Sequence, residues 1–261
     1  MKKQLIVIFV VLLMLSQINA IGLNNELYVT RWRNVGVAAL KGTSAIRSWG
    51  SSGTDEIAIA VNGTIKTFGW HTSGGSGAEY NLNGTYTGTQ YSLNPISYQF
   101  DDGTTDGTYN YAWGHGTNTL EKFDSNWNHI ERVFSLTGTA RLGVTYDPTD
   151  DTFWLSSWGN YQVEHYNRSG TLLETFATDR YTGALALDHT DNTLWLNVQA
   201  TSTFKQYTKS GSLLQTLNVS GLTGSIYGGE FDFALSGAVP EPGTFILVML
   251  LCCAALINKK N

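Results

Sequence analysis

Three short runs set an indole beside a small or polar residue: Trp70-His71, Trp113-Gly114-His115 and Trp158-Gly159-Asn160. An indole offers a flat apolar face, and an imidazole or amide beside it offers hydrogen bonds. That pairing suits a sugar ring, which has an apolar face and a rim of hydroxyls. The same aromatics would equally serve to cap the packing between sheets, with no ligand at all. Carboxylates are the second resource. Glu56 and Glu230 meet if the two ends of the chain close on one another, and Gln99 falls in the repeat column of Glu230. Those three groups are the candidates for a hydrolase or lyase acting on a lactone or polysaccharide. The column itself reads Ala58, Gln99, Thr145, Ala186 and Glu230, one carboxylate in five. A hard cation wants several oxygens, so no metal and no cofactor is expected.

Other patterns argue for structure rather than chemistry. Asp147, Asp150, Asp151, Asp188 and Asp191 lack the spacing of a calcium loop, and an Asp in a four-residue turn bonds its own backbone. His71, His115, His129, His165 and His189 share no ligand spacing. The chain holds no Gly-x-Ser-x-Gly elbow and no His-Glu-x-x-His helix. The expectation is therefore a non-enzymatic protein.

The elements that would position these residues repeat. A shift of 41 carries Asp147 onto Asp188, Thr152 onto Thr193 and Trp154-Leu155 onto Trp195-Leu196. The same shift carries Tyr166 onto Tyr207, Ser169-Gly170 onto Ser210-Gly211 and Leu172-Leu173 onto Leu213-Leu214. Earlier copies follow with small insertions, the run Ile57 to Trp70 opening the first. Each unit holds four short alternating segments separated by Gly- and Asp-rich turns. Four strands in roughly 40–45 residues is the pitch of a β-propeller blade, against a solenoid of stacked coils as the alternative. Tyr227 to Phe233 reads as a first strand with nothing after it, and Glu26 to Val29 as a second strand with nothing before it. One blade built from both ends closes the ring and hides two strand edges. The expected fold is all-β, a propeller of about five four-stranded blades over residues 21–237, with six if residues 22–56 hold extra strands. Alternation places Phe153, Leu155, Val163, Leu172, Val144, Tyr146, Leu185, Leu187, Leu194, Leu196 and Leu213 between blades, with Trp154 and Trp195 as large packing groups. In this fold the three indole runs end second strands and so share one face.

The two ends read differently from the body. Residues 1–20 have a basic start (Lys2, Lys3), an apolar core from Leu5 to Leu15 and a small Ala20, the layout of a cleaved secretory signal helix. Residues 238–261 hold Val239-Pro240-Glu241-Pro242, an apolar run from Phe245 to Ile257 and the stop Lys259-Lys260. That run reaches only about 20 Å at ~1.5 Å per residue, against a hydrocarbon core of ~30 Å, which fits a temporary transmembrane anchor. Both cysteines, Cys252 and Cys253, lie in it, so the body has no thiol. Without the basic residues of the two ends and Glu241, the body carries 12 basic against 20 acidic residues. That balance disfavours nucleic acid, which draws on clustered Lys and Arg.

The C-terminal arrangement resembles the PEP-CTERM sorting signal of Gram-negative bacteria. The resemblance implies that Val239, Pro240, Glu241 and Pro242 are recognised by an exosortase-type protease, with Lys259 and Lys260 as the membrane stop. It implies export, a transient inner-membrane anchor, then the cell envelope or the extracellular matrix. PEP-CTERM proteins are associated with exopolysaccharide and biofilm, which makes extracellular polysaccharide the partner to test.

Overall fold

The computed structural model describes residues 22–32, 36–70, 75–92, 99–138 and 140–238. The expected signal segment 1–20, the expected sorting motif Val239–Pro242, the expected membrane stop Lys259-Lys260 and His71 lie outside the described residues. No helix among the described residues is long and apolar enough to cross a membrane.

Among the described residues, twenty strands form five four-stranded antiparallel sheets. Blade 1 joins β20 (Ile226–Phe231) to β1 (Leu23–Arg31), β2 (Gly36–Gly42) and β3 (Ser44–Trp49). Blade 2 is β4 (Glu56–Val61), β5 (Thr64–Gly69), β6 (Ser76–Asn81) and β7 (Tyr86–Ser92). Blade 3 is β8 (Phe100–Thr105), β9 (Asn110–Gly114), β10 (Thr119–Phe123) and β11 (His129–Ser135). Blade 4 is β12 (Arg141–Asp147), β13 (Thr152–Ser157), β14 (Gln162–Asn167) and β15 (Leu172–Ala177). Blade 5 is β16 (Thr182–Asp188), β17 (Thr193–Val198), β18 (Thr203–Thr208) and β19 (Leu213–Asn218). The chain is thus a five-bladed β-propeller, closed by pairing the last strand with the first: Leu27 faces Phe231 and Tyr28 faces Glu230.

The innermost strands β4, β8, β12, β16 and β20 touch one another in a ring, and β20 also touches β8 and β12 across it. The core lies between blades, as five apolar clusters for five interfaces. Alternation along one strand feeds two of them. Phe153 and Leu155 pack toward blade 3 beside Tyr111 and Leu120, while Trp154 packs toward blade 5 beside Leu185 and Leu194. Most of the expected interblade residues are buried, but Leu172 and Leu213 are about half exposed. They sit on β15 and β19, the outermost strands, where the neighbouring blade no longer reaches.

Each innermost strand ends in a polar tie to the next blade. Asp106 meets Arg168 at 3.3 Å, Asp147 meets Lys209 at 2.5 Å, and Asp188 accepts from Asn25 at 2.9 Å. Asp232 accepts from the Gly63 amide at 2.8 Å, and Asn62 donates to the Gly107 carbonyl at 3.1 Å. The aligned acids also bond their own turns, as the Thr149 amide to Asp147 and the Thr190 amide to Asp188 show. After β20 the 3-10 helix Phe233–Ala238 lies against this end of the ring, its Phe233 ring packing on Tyr146 and His189. Gly22 opens β1 at the same end, since β1 runs from there to Trp32 at the other.

Candidate functional site

The site is positioned by a defect repeated in every blade. The pairing of each innermost strand with its neighbour slips near its start: between Glu56 and Ala58, Phe100 and Asp102, Arg141 and Val144, and Thr182 and Leu185. In β20 the slip falls opposite Thr30, between Ile226 and Gly229. A bulge turns consecutive side chains to new directions. In β8 it separates two adjacent carboxylates. Asp101 serves the face where innermost strands begin, and Asp102 enters the channel.

On that face one residue from the loop after each second strand joins residues at the start of β8 and β20. Trp32 meets Trp70 edge-on at 4.5 Å between ring centres. The Trp70 indole N–H donates to Asp101 Oδ1 at 3.1 Å. His115 Nδ1 lies 2.9 Å from Asp101 Oδ2, and the His115 ring is 5.7 Å from that of Trp158. The Trp158 indole N–H donates to Gln199, Gln199 bonds Tyr227, and Tyr227 stacks on Trp32 at 4.7 Å. The contacts make a closed circuit through all five blades around the channel mouth. Trp32, Trp70 and Tyr227 are in direct contact, so they form a continuous platform with no slot between rings.

Asp101 is the buried anchor of the circuit, about 2% exposed. Burial pushes its carboxyl above the usual range, and His115 and the Trp70 indole pull it back. His115 is raised chiefly by its hydrogen bond to Asp101, with burial opposing and the Arg141 carbonyl adding to the rise. Asp101 Oδ1 thus takes the Trp70 indole, while Oδ2 faces His115 Nδ1, whose ring lies beside that of Trp158.

Below the face, the channel is filled. Asp102 accepts from the amides of Gly103, Val144, Leu185 and Gly229 at 2.8, 3.2, 3.3 and 3.0 Å. One carboxylate therefore ties four innermost strands to an axis. Burial drives its pKa up while the amides oppose. Glu230 lies beside it, bonded by Thr145 at 3.3 Å, by Thr104 and by the Phe231 amide at 3.1 Å, and burial raises it strongly. Hydroxyls stitch the bulges across blades. The Gly143 amide donates to Ser156 Oγ at 3.0 Å, which donates to the Gly183 carbonyl of blade 5 at 2.9 Å. The Gly228 amide donates to Thr30, which donates to the Ile57 carbonyl of blade 2. A Cβ on Gly143 would meet Ser156 Oγ at 2.6 Å and the Gly183 carbonyl at 2.7 Å, so only glycine permits this approach.

The face gathers Trp70, His115 and Trp158, as their shared position after second strands predicts. Trp113 is not there. It is fully buried in the core between blades 3 and 4, 6.4 Å from Phe134, because it lies inside β9 on the side of Tyr111, whereas His115 lies beyond the end of the strand. Asn160 bonds Gln162 within its own loop at 2.8 Å and takes no part in the circuit. The three catalytic candidates do not converge. Glu56 is held inside blade 2 by Thr67 at 2.8 Å, Tyr80 at 2.9 Å and the Gly53 amide. Glu230 is shut in the channel with Asp102 as its acidic neighbour. Gln99 belongs to the face end of β8, where its carbonyl accepts from the His115 amide at 2.9 Å. The column position falls to Thr104, whose hydroxyl takes the Tyr146 amide as Thr145 takes that of Leu187. Asp101, Trp32, Tyr227 and Gln199 were not marked by sequence. Their signal is positional, since each sits where a loop after a second strand or the start of an innermost strand falls.

Among the described residues, Asp147, Asp150 and His165 bring ligand atoms within 4.8 Å of one another. The arrangement is already compensated. Lys209 sits on Asp147, and His165 stacks on Trp154 at 3.9 Å while bonding Thr152 and Glu174.

No family model and no curated protein matches the chain. Solved structures do. A chain of a nidogen–laminin complex matches at 11% identity with a TM-score of 0.54, over 80% of this chain and 98% of that one. A Bacteroides caccae protein of unknown function matches at 11% identity with a TM-score of 0.50, over 77% and 76%. Virginiamycin B lyase from Staphylococcus aureus matches at 15% identity with a TM-score of 0.44, and the chain spans 56% of its length. These likenesses are of fold alone.

Proposed function

We propose that the protein is an exported binding protein of the cell envelope or matrix, non-enzymatic, which holds a polysaccharide on its aromatic face. In this reading an exosortase-type protease recognises Val239–Pro242, and the run before Lys259-Lys260 anchors the chain in the membrane until then. One observation carries the binding part. Trp32, Trp70 and Tyr227 form a contiguous platform, edged by His115, Trp158 and Gln199, at the mouth of a filled channel. A contiguous apolar surface with hydrogen-bonding edges fits the apolar face of a sugar ring. The burial of Asp101, its hydrogen bond from the Trp70 indole and its close approach to His115 favour holding over proton transfer.

The test is affinity electrophoresis through gels containing soluble exopolysaccharide, with product analysis on the same samples. The wild type is retarded and releases no reducing or unsaturated ends. Trp158→Ala loses about tenfold in affinity, or ~1.4 kcal/mol, the order of one aromatic stacking contact. Unretarded wild type, or product formation, overturns the binding reading. Intact-mass analysis of the secreted species tests the sorting part: a product retaining Lys259-Lys260 overturns it.

A further inference from the structure

We infer that this face takes an extended, uncharged glycan chain, through a second subsite at its rim made by Trp158, Tyr161 and Tyr181; the inference rests on the platform being a sugar site. Trp158, Tyr161 and Tyr181 are 38%, 40% and 46% exposed, whereas the platform rings are half-buried. Every other large apolar side chain this exposed, among the described residues, sits on an outermost strand. These three stand apart from that pattern and adjoin the channel mouth.

Tyr161 is displayed at a cost. Its φ is 54°, a left-handed conformation that a bulky side chain rarely adopts. The Thr178 amide locks it there by donating to the Tyr161 carbonyl at 2.6 Å. The Tyr161 and Tyr181 rings lie 4.5 Å apart at 49°, and their phenols are hydrogen-bonded.

The rim is fastened to the platform by one residue. The Gln199 amide donates to the Tyr181 carbonyl at 3.1 Å, while the Gln199 side chain holds Trp158 and Tyr227. Two aromatic areas are therefore linked through a single rigid bolt, one at the mouth and one at the edge. One sugar unit covers one area, and only a chain covers both. Charge sets the class. Asp101 and His115 compensate each other, Asp179 is taken by Lys205 at 2.5 Å, and the body as a whole is acidic. Arg180 acts on Tyr161 at the rim, but one exposed cation on an acidic body falls short of the clustered basic groups that a polyanion draws on.

The test uses two ladders of one to six units, β-1,4-linked glucose and β-1,4-linked N-acetylglucosamine, titrated by calorimetry against the secreted protein. For the ladder that binds, affinity rises at least tenfold from dimer to hexamer. Tyr161→Gly and Tyr181→Ala each leave dimer binding unchanged and remove most of that rise. Tyr161→Gly also keeps or raises the melting temperature, because glycine adopts this φ freely, so lost binding is not lost folding. Equal affinity at all lengths, or variants that bind hexamer like wild type, overturns the rim subsite and spares the platform. Failure of every member of both ladders overturns the platform and the rim together.

Discussion

His115 and His189 respond to pH in opposite senses because their surroundings differ in kind. His115 has a carboxylate at 2.9 Å, which favours the imidazolium and raises its pKa above the ordinary 6.5. A raised folded value means that its stabilising contribution is complete below pH 6.5 and fades as pH climbs through the folded pKa. His189 is buried against Phe233, and desolvation drives it down to about 4. Its contribution is complete above pH 6.5 and fades as pH falls toward about 4. Histidine ring titrations by NMR should show the His115 midpoint above 6.5 and dropping in Asp101→Asn, with the His189 midpoint near 4. A His115 midpoint unmoved by Asp101→Asn would break the proposed pairing. The two indoles beside His115 also separate by role. Trp113→Ala empties a fully buried site and should cost about 3–5 kcal/mol in a denaturant melt, whereas Trp158→Ala, on the surface, should stay within about 1 kcal/mol.

The repeated bulge is the element that turns a stack of sheets into a site, and it was the least legible part of the sequence. Alternating apolar residues and Gly- or Asp-bearing turns recur at a shift of 41 in the last two full units and with small insertions before them, so the strands, a ring of about five blades and the terminal closure could be read. An extra residue in a strand leaves no such mark, because it shifts the frame without changing composition. In β8 the sequence Phe100-Asp101-Asp102-Gly103-Thr104-Thr105 has almost no apolar alternation to hold the frame. Gln99 was consequently assigned to the column that Thr104 occupies, and Asp101 passed unnoticed. The misplacement of Leu172 and Leu213 has a different cause: both sit on outer strands that the neighbouring blade does not cover, each at a slip in its pairing with the third strand. The bulges depend on their hydroxyl relays. Ser156→Ala leaves the Gly143 amide and the Gly183 carbonyl unpaired in a buried place, and should cost about 1–3 kcal/mol in stability. Equal stability of Ser156→Ala and wild type would remove the relay from the account.

The ring holds as a whole because its ties run in one direction around it. Each innermost strand hands a side chain to the next blade, and Asp102 gathers four of those strands at the axis. Removing β20 would expose the edge of β1, strand Asp102's bond to Gly229 and cut the tie from Asp232 to blade 2. A chain ending at Ser225 should therefore lose its cooperative thermal transition in circular dichroism, rather than melt as four surviving blades. The position of the ends has a practical corollary. Gly22 and the helix after Asp232 stand at the pole away from the indoles. A dye, a bead or a support fixed at either point would leave the aromatic pole turned outward to whatever flows past.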